Sequence, residues 1–319
     1  MAKLITGGTG YIGAELAHIL VNRGEEVVLF DIAINEFRVE DIKDKVKIVQ
    51  GDLRNWSEVM NVVKDNKIHD IYHMGSMLTF MSEMNPWASF NTNVVGTFNV
   101  LEAARLYEVD KFMFASTMAT YGLDMPEVLD DLTIQRPIYF YGCGKLYVEG
   151  IGRWYRNNFG LDFRAIRYPA MWGPNVRTPG HWGPHMIEDA IMGKPHKSVY
   201  ATADSPGLPA IYLTDAARAA DMVMAAPKDR IKMVNYCVAG PQNAISVKAV
   251  ETILKKRYPG TEIICKDVPP GPDVFVIKKF DDSYARKEWG WKPLYDTAEA
   301  MIEKFESDIK NYPRRFGLK

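Results

Sequence analysis

A tyrosine and a lysine stand four residues apart in Tyr141-Gly-Cys-Gly-Lys145. On a helix this spacing puts both side chains on one face. An ammonium close to a phenol lowers its pKa, so the tyrosine can act as a general base near neutral pH. The same lysine can hold a ribose hydroxyl. Taken alone the spacing is common by chance, and Gly142 and Gly144 make a poor helix start. They would leave room for a ligand beside the helix. Two more hydroxyls, Ser116 and Thr117, follow the apolar run Lys111–Ala115. Either can donate to a substrate oxygen while Tyr141 takes a proton. For each residue alone, an ordinary polar strand end is the competing reading.

A second constellation opens the chain. In Thr6-Gly-Gly-Thr-Gly-Tyr-Ile-Gly13, residues Gly7, Gly10 and Gly13 are spaced as in a dinucleotide-binding turn. The first glycine permits the tight turn, the second lets a pyrophosphate approach the backbone, and the third lets strand and helix pack closely. The following helix then offers free N–H groups and its positive end to phosphate. Asp31 closes the next apolar run, where a carboxylate accepts from adenosine ribose hydroxyls and repels a 2′-phosphate. Ile32 follows, where a basic residue would suit that phosphate. The pattern favours NAD over NADP.

These groups need a scaffold that brings them to one edge. Candidate strands are Lys3–Thr6, Glu26–Asp31, Val46–Gln50, Asp70–Met74, Lys111–Ala115 and Asp162–Arg167. Helical patterns lie between them at Ile12–Arg23, Trp56–Lys64, Trp87–Tyr107 and Lys145–Phe159. This alternation predicts an α/β fold, a Rossmann-type doubly wound parallel sheet, with a smaller, interleaved C-terminal substrate region. Residues 1–170 are expected to bind NAD and residues 171–319 mainly to bind substrate. The stretch Trp172–Pro184, crowded with Gly, Pro, Trp and His, reads as a pocket-lining loop carrying His181 and Trp182. His181 and His185 are four apart, but Gly183 and Pro184 oppose a helix and no third ligand suggests itself, so no metal is expected.

Composition limits the classes. With 319 residues, 47% apolar and 25% charged, the chain can bury a core without disulfide or metal. A net charge of −1 gives no signature of nucleic-acid or membrane binding. Cys143, Cys237 and Cys265 are few and scattered, as in a reducing cytoplasm. Met1 leads directly into a strand pattern and no apolar run approaches a membrane span, so a soluble cytoplasmic protein is expected.

Together the motifs resemble the extended short-chain dehydrogenase/reductase family, also called the NAD-dependent epimerase/dehydratase family. The ordered set carries the resemblance: Thr6–Gly13, Asp31, Gly51–Leu53, His73–Ser76, Asn93–Ala104, Ser116–Gly122, Tyr141–Lys145, Arg167–Pro169 and Tyr212–Asp215. It implies a Thr117, Tyr141 and Lys145 catalytic set. It also implies that Asp52 and Leu53 contact adenine, that Met74, Gly75, Ser76 and Asn93 border the cofactor along with Tyr11 and Ile12, and that Tyr168 and Pro169 flank the nicotinamide.

Departures narrow the substrate. Met118-Ala119 stands where the dehydratase branch has an acidic pair, and Leu208-Pro-Ala-Ile211 where epimerases hold a nucleotide diphosphate with Arg-Asp-Phe. The chain is more similar to the short-chain type of L-threonine 3-dehydrogenase through Arg167–Pro169, Leu208–Tyr212 and Asp281–Trp291. That similarity implies substrate contacts at Thr79 and Thr178, although Gly180–Pro184 departs from it. The expected reaction is oxidation of a small secondary alcohol. A nucleotide-sugar epimerase and a non-catalytic NAD-binding protein are the alternatives. The family also implies a homodimer, with Val94, Phe98, Leu101, Leu146 and Val148 as a candidate seam and burial in the chain's own core as the rival reading.

Overall fold

The computed structural model describes residues 1–178, 182–198, 207–265 and 277–318. Seven strands form one sheet: β1 (Ala2–Thr6), β2 (Val27–Asp31), β3 (Val46–Gln50), β4 (Ile68–His73), β5 (Lys111–Thr117), β6 (Asp162–Tyr168) and β7 (Asn235–Cys237). Their order is β7-β6-β5-β4-β1-β2-β3, and every neighbouring pair is parallel. The winding reverses between β1 and β4, where the strand ends leave a crevice for ligand.

The strands carry apolar residues at both parities, which is what a sheet covered on both faces demands. Val27 and Leu29 of β2 enter one core with helix α1 (Tyr11–Asn22) and helix Leu213–Ala225. Val28 and Phe30 enter the opposite core with α2 (Trp56–Asp65), α3 (Gly96–Leu106) and α4 (Phe140–Phe159). β5 divides likewise: Met113 and Ala115 face the first core, Phe112 and Phe114 the second. A third core, with Trp172, Trp182, Met186, Tyr212, Leu254 and Phe305, holds the smaller region together. There a two-stranded parallel pair, Ala170–Trp172 and Ala210–Tyr212, replaces the large sheet.

Three expectations change in the folded chain. Trp87–Tyr107 is not one regular helix. A short helix, Pro86–Ser89, runs into a π-helical turn, Phe90–Val95, before α3 begins. Helix α4 starts at Phe140, earlier than its apolar pattern suggests, and Gly142 in its first turn packs backbone to backbone on the turn after β5. Within Trp172–Pro184, helix begins at Trp182, whose ring packs edge-on against Trp172 at 5.7 Å. Burying two indoles outweighs the helix-breaking tendency of Gly183 and Pro184. The motif residue Asp215 is structural, accepting the N–H groups of Leu294 and Tyr295 to pin the C-terminal segment. Among the described residues no helix is long and apolar enough to cross a membrane.

Candidate active site

The crevice at the strand ends is a cleft of about 440 Å³. It gathers twelve residues expected at the cofactor: Gly7, Gly10, Tyr11, Ile12, Gly13, Asp31, Ile32, Asp52, Leu53, Met74, Gly75 and Ser76. Two glycines shape it. Gly7 has φ +63°, and a Cβ there would lie 2.8 Å from the Gly75 backbone. A Cβ on Gly13 would lie 2.3 Å from the Gly7 carbonyl oxygen. Backbone contact this close leaves the start of α1 open to the cleft, and no side chain caps that helix. The cradle thus fits a pyrophosphate.

At the far end Asp31 is engaged by the turn itself. Its Oδ2 accepts the Thr9 N–H at 3.1 Å and the Thr9 hydroxyl at 3.0 Å. The other oxygen remains available to ribose hydroxyls apart from a long contact with the Ala33 N–H at 3.3 Å. Ile32 is exposed beside it. Arg54, also lining the cleft, is bonded to Asp52 at 2.8 Å and holds that carboxyl below its usual range.

Behind the cleft lies a buried chain that sequence reading left without a role. Thr97 donates its hydroxyl to the Asn93 carbonyl at 2.7 Å, so its oxygen must accept from His73 Nε2–H at 2.8 Å. His73 Nδ1 then accepts from the Thr6 hydroxyl at 2.7 Å, and the Thr6 oxygen accepts the Gly75 N–H at 3.2 Å. Burial, with Lys145 nearby, drives the imidazole pKa down to about 3, so the ring is neutral. His73 therefore clamps β1, β4 and α3 while fixing Gly75 against Gly7. Asn93 does not point into the cleft. Its side chain accepts the Met77 N–H and donates to the Met77 carbonyl, shaping the wall from behind.

Helix α4 carries Tyr141 and Lys145, both buried. The Ser76 side chain, which lines the cofactor cleft, lies near the Tyr141 phenol. Burial raises the phenol to about 12, with the nearby Ser76 opposing that rise. Lys145 Nζ donates to the Ala115 carbonyl at 2.8 Å and lies 5.6 Å from the Tyr141 ring centre. Burial lowers the ammonium pKa to about 7, with Glu149 pulling the other way. The simple picture of an ammonium paired directly with the phenol does not hold in this state. Gly142 also departs from expectation. A Cβ there would sit 1.9 Å from the Ala119 carbonyl oxygen, so the glycine makes room for backbone and not for ligand.

Thr117 ends β5 just before that turn. Its Oγ1 accepts the Ala119 N–H at 3.1 Å, leaving the hydroxyl proton to be donated. Ser116 has the opposite parity on β5 and leaves the set: its hydroxyl donates to Glu149 at 2.6 Å in the core. Thr79 opens the short helix Thr79–Met84, whose Glu83 accepts the Tyr141 N–H at 3.3 Å. Tyr168 is buried and donates its hydroxyl to Ala216, away from the cleft, with Pro169 just beyond it. Trp182 is core. His181 lies outside the described residues, and Thr178 sits half-buried at the edge of the smaller region.

Sequence reading also missed Glu149. This carboxylate, fully buried, takes bonds from Ser116, Arg167 of β6 and Asn235 of β7. The Tyr-x-x-x-Lys-x-x-x-Glu spacing was the available signal, since a third residue one turn on shares the face.

A parallel sheet with this glycine turn and a buried Tyr–Lys pair beside it defines an enzyme of the extended short-chain dehydrogenase/reductase type. The sequence model of the NAD dependent epimerase/dehydratase family matches residues 3–239, and the chain belongs to that family. A mitochondrial L-threonine 3-dehydrogenase of Bos taurus is 29% identical over 93% of this chain and 80% of its own. A UDP-glucose 4-epimerase of Lacticaseibacillus casei is 26% identical over 99% of each. Among solved structures, a GalE-like L-threonine dehydrogenase from Cupriavidus necator in its holo form superposes with a TM-score of 0.85. It is 26% identical, covering 97% of this chain and 100% of that one.

Proposed function

We propose that this chain is an NAD-dependent dehydrogenase that oxidises the secondary alcohol of a small hydroxy or amino acid, with L-threonine the first candidate. The observation that carries the proposal is the buried Tyr141 phenol with Ser76, a residue of the dinucleotide cleft wall, close by. NAD, when bound, supplies the hydride acceptor. The start of α1 would hold its pyrophosphate, Asp31 its adenosine ribose, and Met74–Ser76 the wall beside it. Tyr141 first releases its own proton to solvent, and the phenolate Oη then takes the alcohol proton. Thr117 donates its hydroxyl to the same oxygen as charge develops there. Lys145 supplies positive charge near Tyr141 and a ribose contact, and Glu149 favours its charged form. Thr79 and Thr178 border the substrate.

Nucleotide-sugar epimerisation is the second reading, supported by the full-length similarity to the Lacticaseibacillus casei enzyme. Against it, Ala210 and Ile211 are fully buried in the two-stranded pair, and that segment presents no cation to a diphosphate. Absorbance of NADH distinguishes the readings. The proposal expects stoichiometric NADH with L-threonine or a related hydroxy acid, whereas an epimerase releases almost none. Tyr141→Phe should lower kcat by about 10²–10⁴-fold with NAD still bound. Undiminished turnover in that variant removes the mechanism. NAD bound by a wild type that turns over no alcohol in the panel would point to a non-catalytic binding protein.

A further inference from the structure

Tyr11 belongs to two regions at once. As the first residue of α1 it lines the dinucleotide cleft, and it also lines a small cavity of about 10 Å³ with Pro174 and Phe316. Its ring lies under the Arg38 guanidinium, 4.0 Å from the ring centre. Its hydroxyl reaches the smaller region and accepts the backbone N–H of Arg177 at 3.2 Å. Arg177 is held from the other side as well, its Nη2 bonded at 2.6 Å to Glu188 of the helix Trp182–Ile191. Residue 177 is thereby tied to the phosphate-binding end of α1 and to the core of the smaller region. Thr178 is the next residue.

We infer that Tyr11 is a positioning residue whose hydroxyl couples the cofactor turn to the placement of Thr178. The inference rests on the substrate role proposed above for Thr178. Phenylalanine at position 11 would fill the same space beneath Arg38 but leave the Arg177 N–H without its acceptor. A dinucleotide on the start of α1 steadies Tyr11, and Tyr11 steadies the Arg177–Thr178 backbone. Coupling of this kind is reciprocal: substrate held by Thr178 strengthens cofactor binding by the same factor.

The test compares wild type with Tyr11→Phe by hydrogen–deuterium exchange of the peptide spanning 173–178, without cofactor and saturated with NAD. NAD dissociation constants and L-threonine kinetics are measured alongside. In wild type, NAD should slow exchange of this peptide, and Tyr11→Phe should lose most of that protection. KM for L-threonine should rise about fivefold, as expected for one lost hydrogen bond, and by more than the NAD dissociation constant does. Equal protection in both proteins overturns the coupling. So does a loss of NAD affinity large enough to account for the lost protection. If wild type does not oxidise L-threonine, the proposed substrate falls while the exchange comparison still decides the role of Tyr11. If Thr178→Val leaves the L-threonine KM unchanged, the substrate half of the inference is overturned.

Discussion

Lys145 is an expensive residue to bury. Its folded pKa is about 7 against an ordinary 10.5, because burial penalises the charge. The sign follows from proton linkage. Between those two pH values the unfolded chain binds the proton and the folded chain does not, so stability rises with pH across that window. The penalty is fully present below about pH 7 and gone above about 10.5. In cofactor-free protein, Lys145→Met should therefore be more stable than wild type at about pH 6.5, by at most about 5 kcal/mol. The lost bond to Ala115 offsets part of that gain. Urea denaturation at about pH 6.5, 8 and 9.5 should show the gap closing as pH rises. A gap independent of pH would mean that the lysine charge is not what costs stability. The same variant should lose turnover, so the site trades stability for chemistry.

The elements place the reacting groups by backbone contact. Gly142 lets α4 meet the turn after β5, which fixes where the helix start carrying Tyr141 sits against that turn. Gly142→Ala should lose about 1–3 kcal/mol through overpacking. Its kcat should fall about 100-fold through misplacement of the phenol. Gly150 provides the control. It lies on the same helix, and a Cβ there would have nothing within 4 Å, so alanine should stabilise α4 by up to about 1 kcal/mol and leave kcat alone. Similar losses at both positions would show that helix propensity, and not the contact with Ala119, governs the effect. Glu149 performs related work on the other side of α4, tying it to β5, β6 and β7 through one buried carboxylate.

For the whole molecule, the outer faces of α3 and α4 expose Phe98, Tyr147 and Trp154. Val94, Leu101 and Val148, expected in the same seam, are buried in the chain's own structure. We propose a two-fold dimer built on the exposed set, since a face of this kind on paired helices is self-complementary under two-fold symmetry. Light scattering should give a dimer mass for wild type and a monomer for the double variant Phe98→Glu, Tyr147→Arg. A monomeric wild type at micromolar concentration ends that proposal.

The fold was legible because its signals are local. Short apolar strands, amphipathic helices and a glycine turn followed by Asp31 all depend on residues near one another in the chain. Each one restricts the backbone without help from distant contacts. The cofactor cleft was legible for the same reason, its lining coming from strand ends and the turns that follow them. The roles of His73, Glu149 and Tyr11 were not, because the partners named for them lie 18 to 166 residues away. The divergence of Ser116 and Thr117 came from strand parity relative to a core that only packing defines. The residue types of the Tyr141–Lys145 pair were determined by sequence alone. Tertiary structure decided that both would be buried, that Gly142 would meet the turn after β5, and that Ser76 of the cleft wall would lie near Tyr141. The reason is physical: low dielectric and backbone contact exist only once the sheet and helices have assembled.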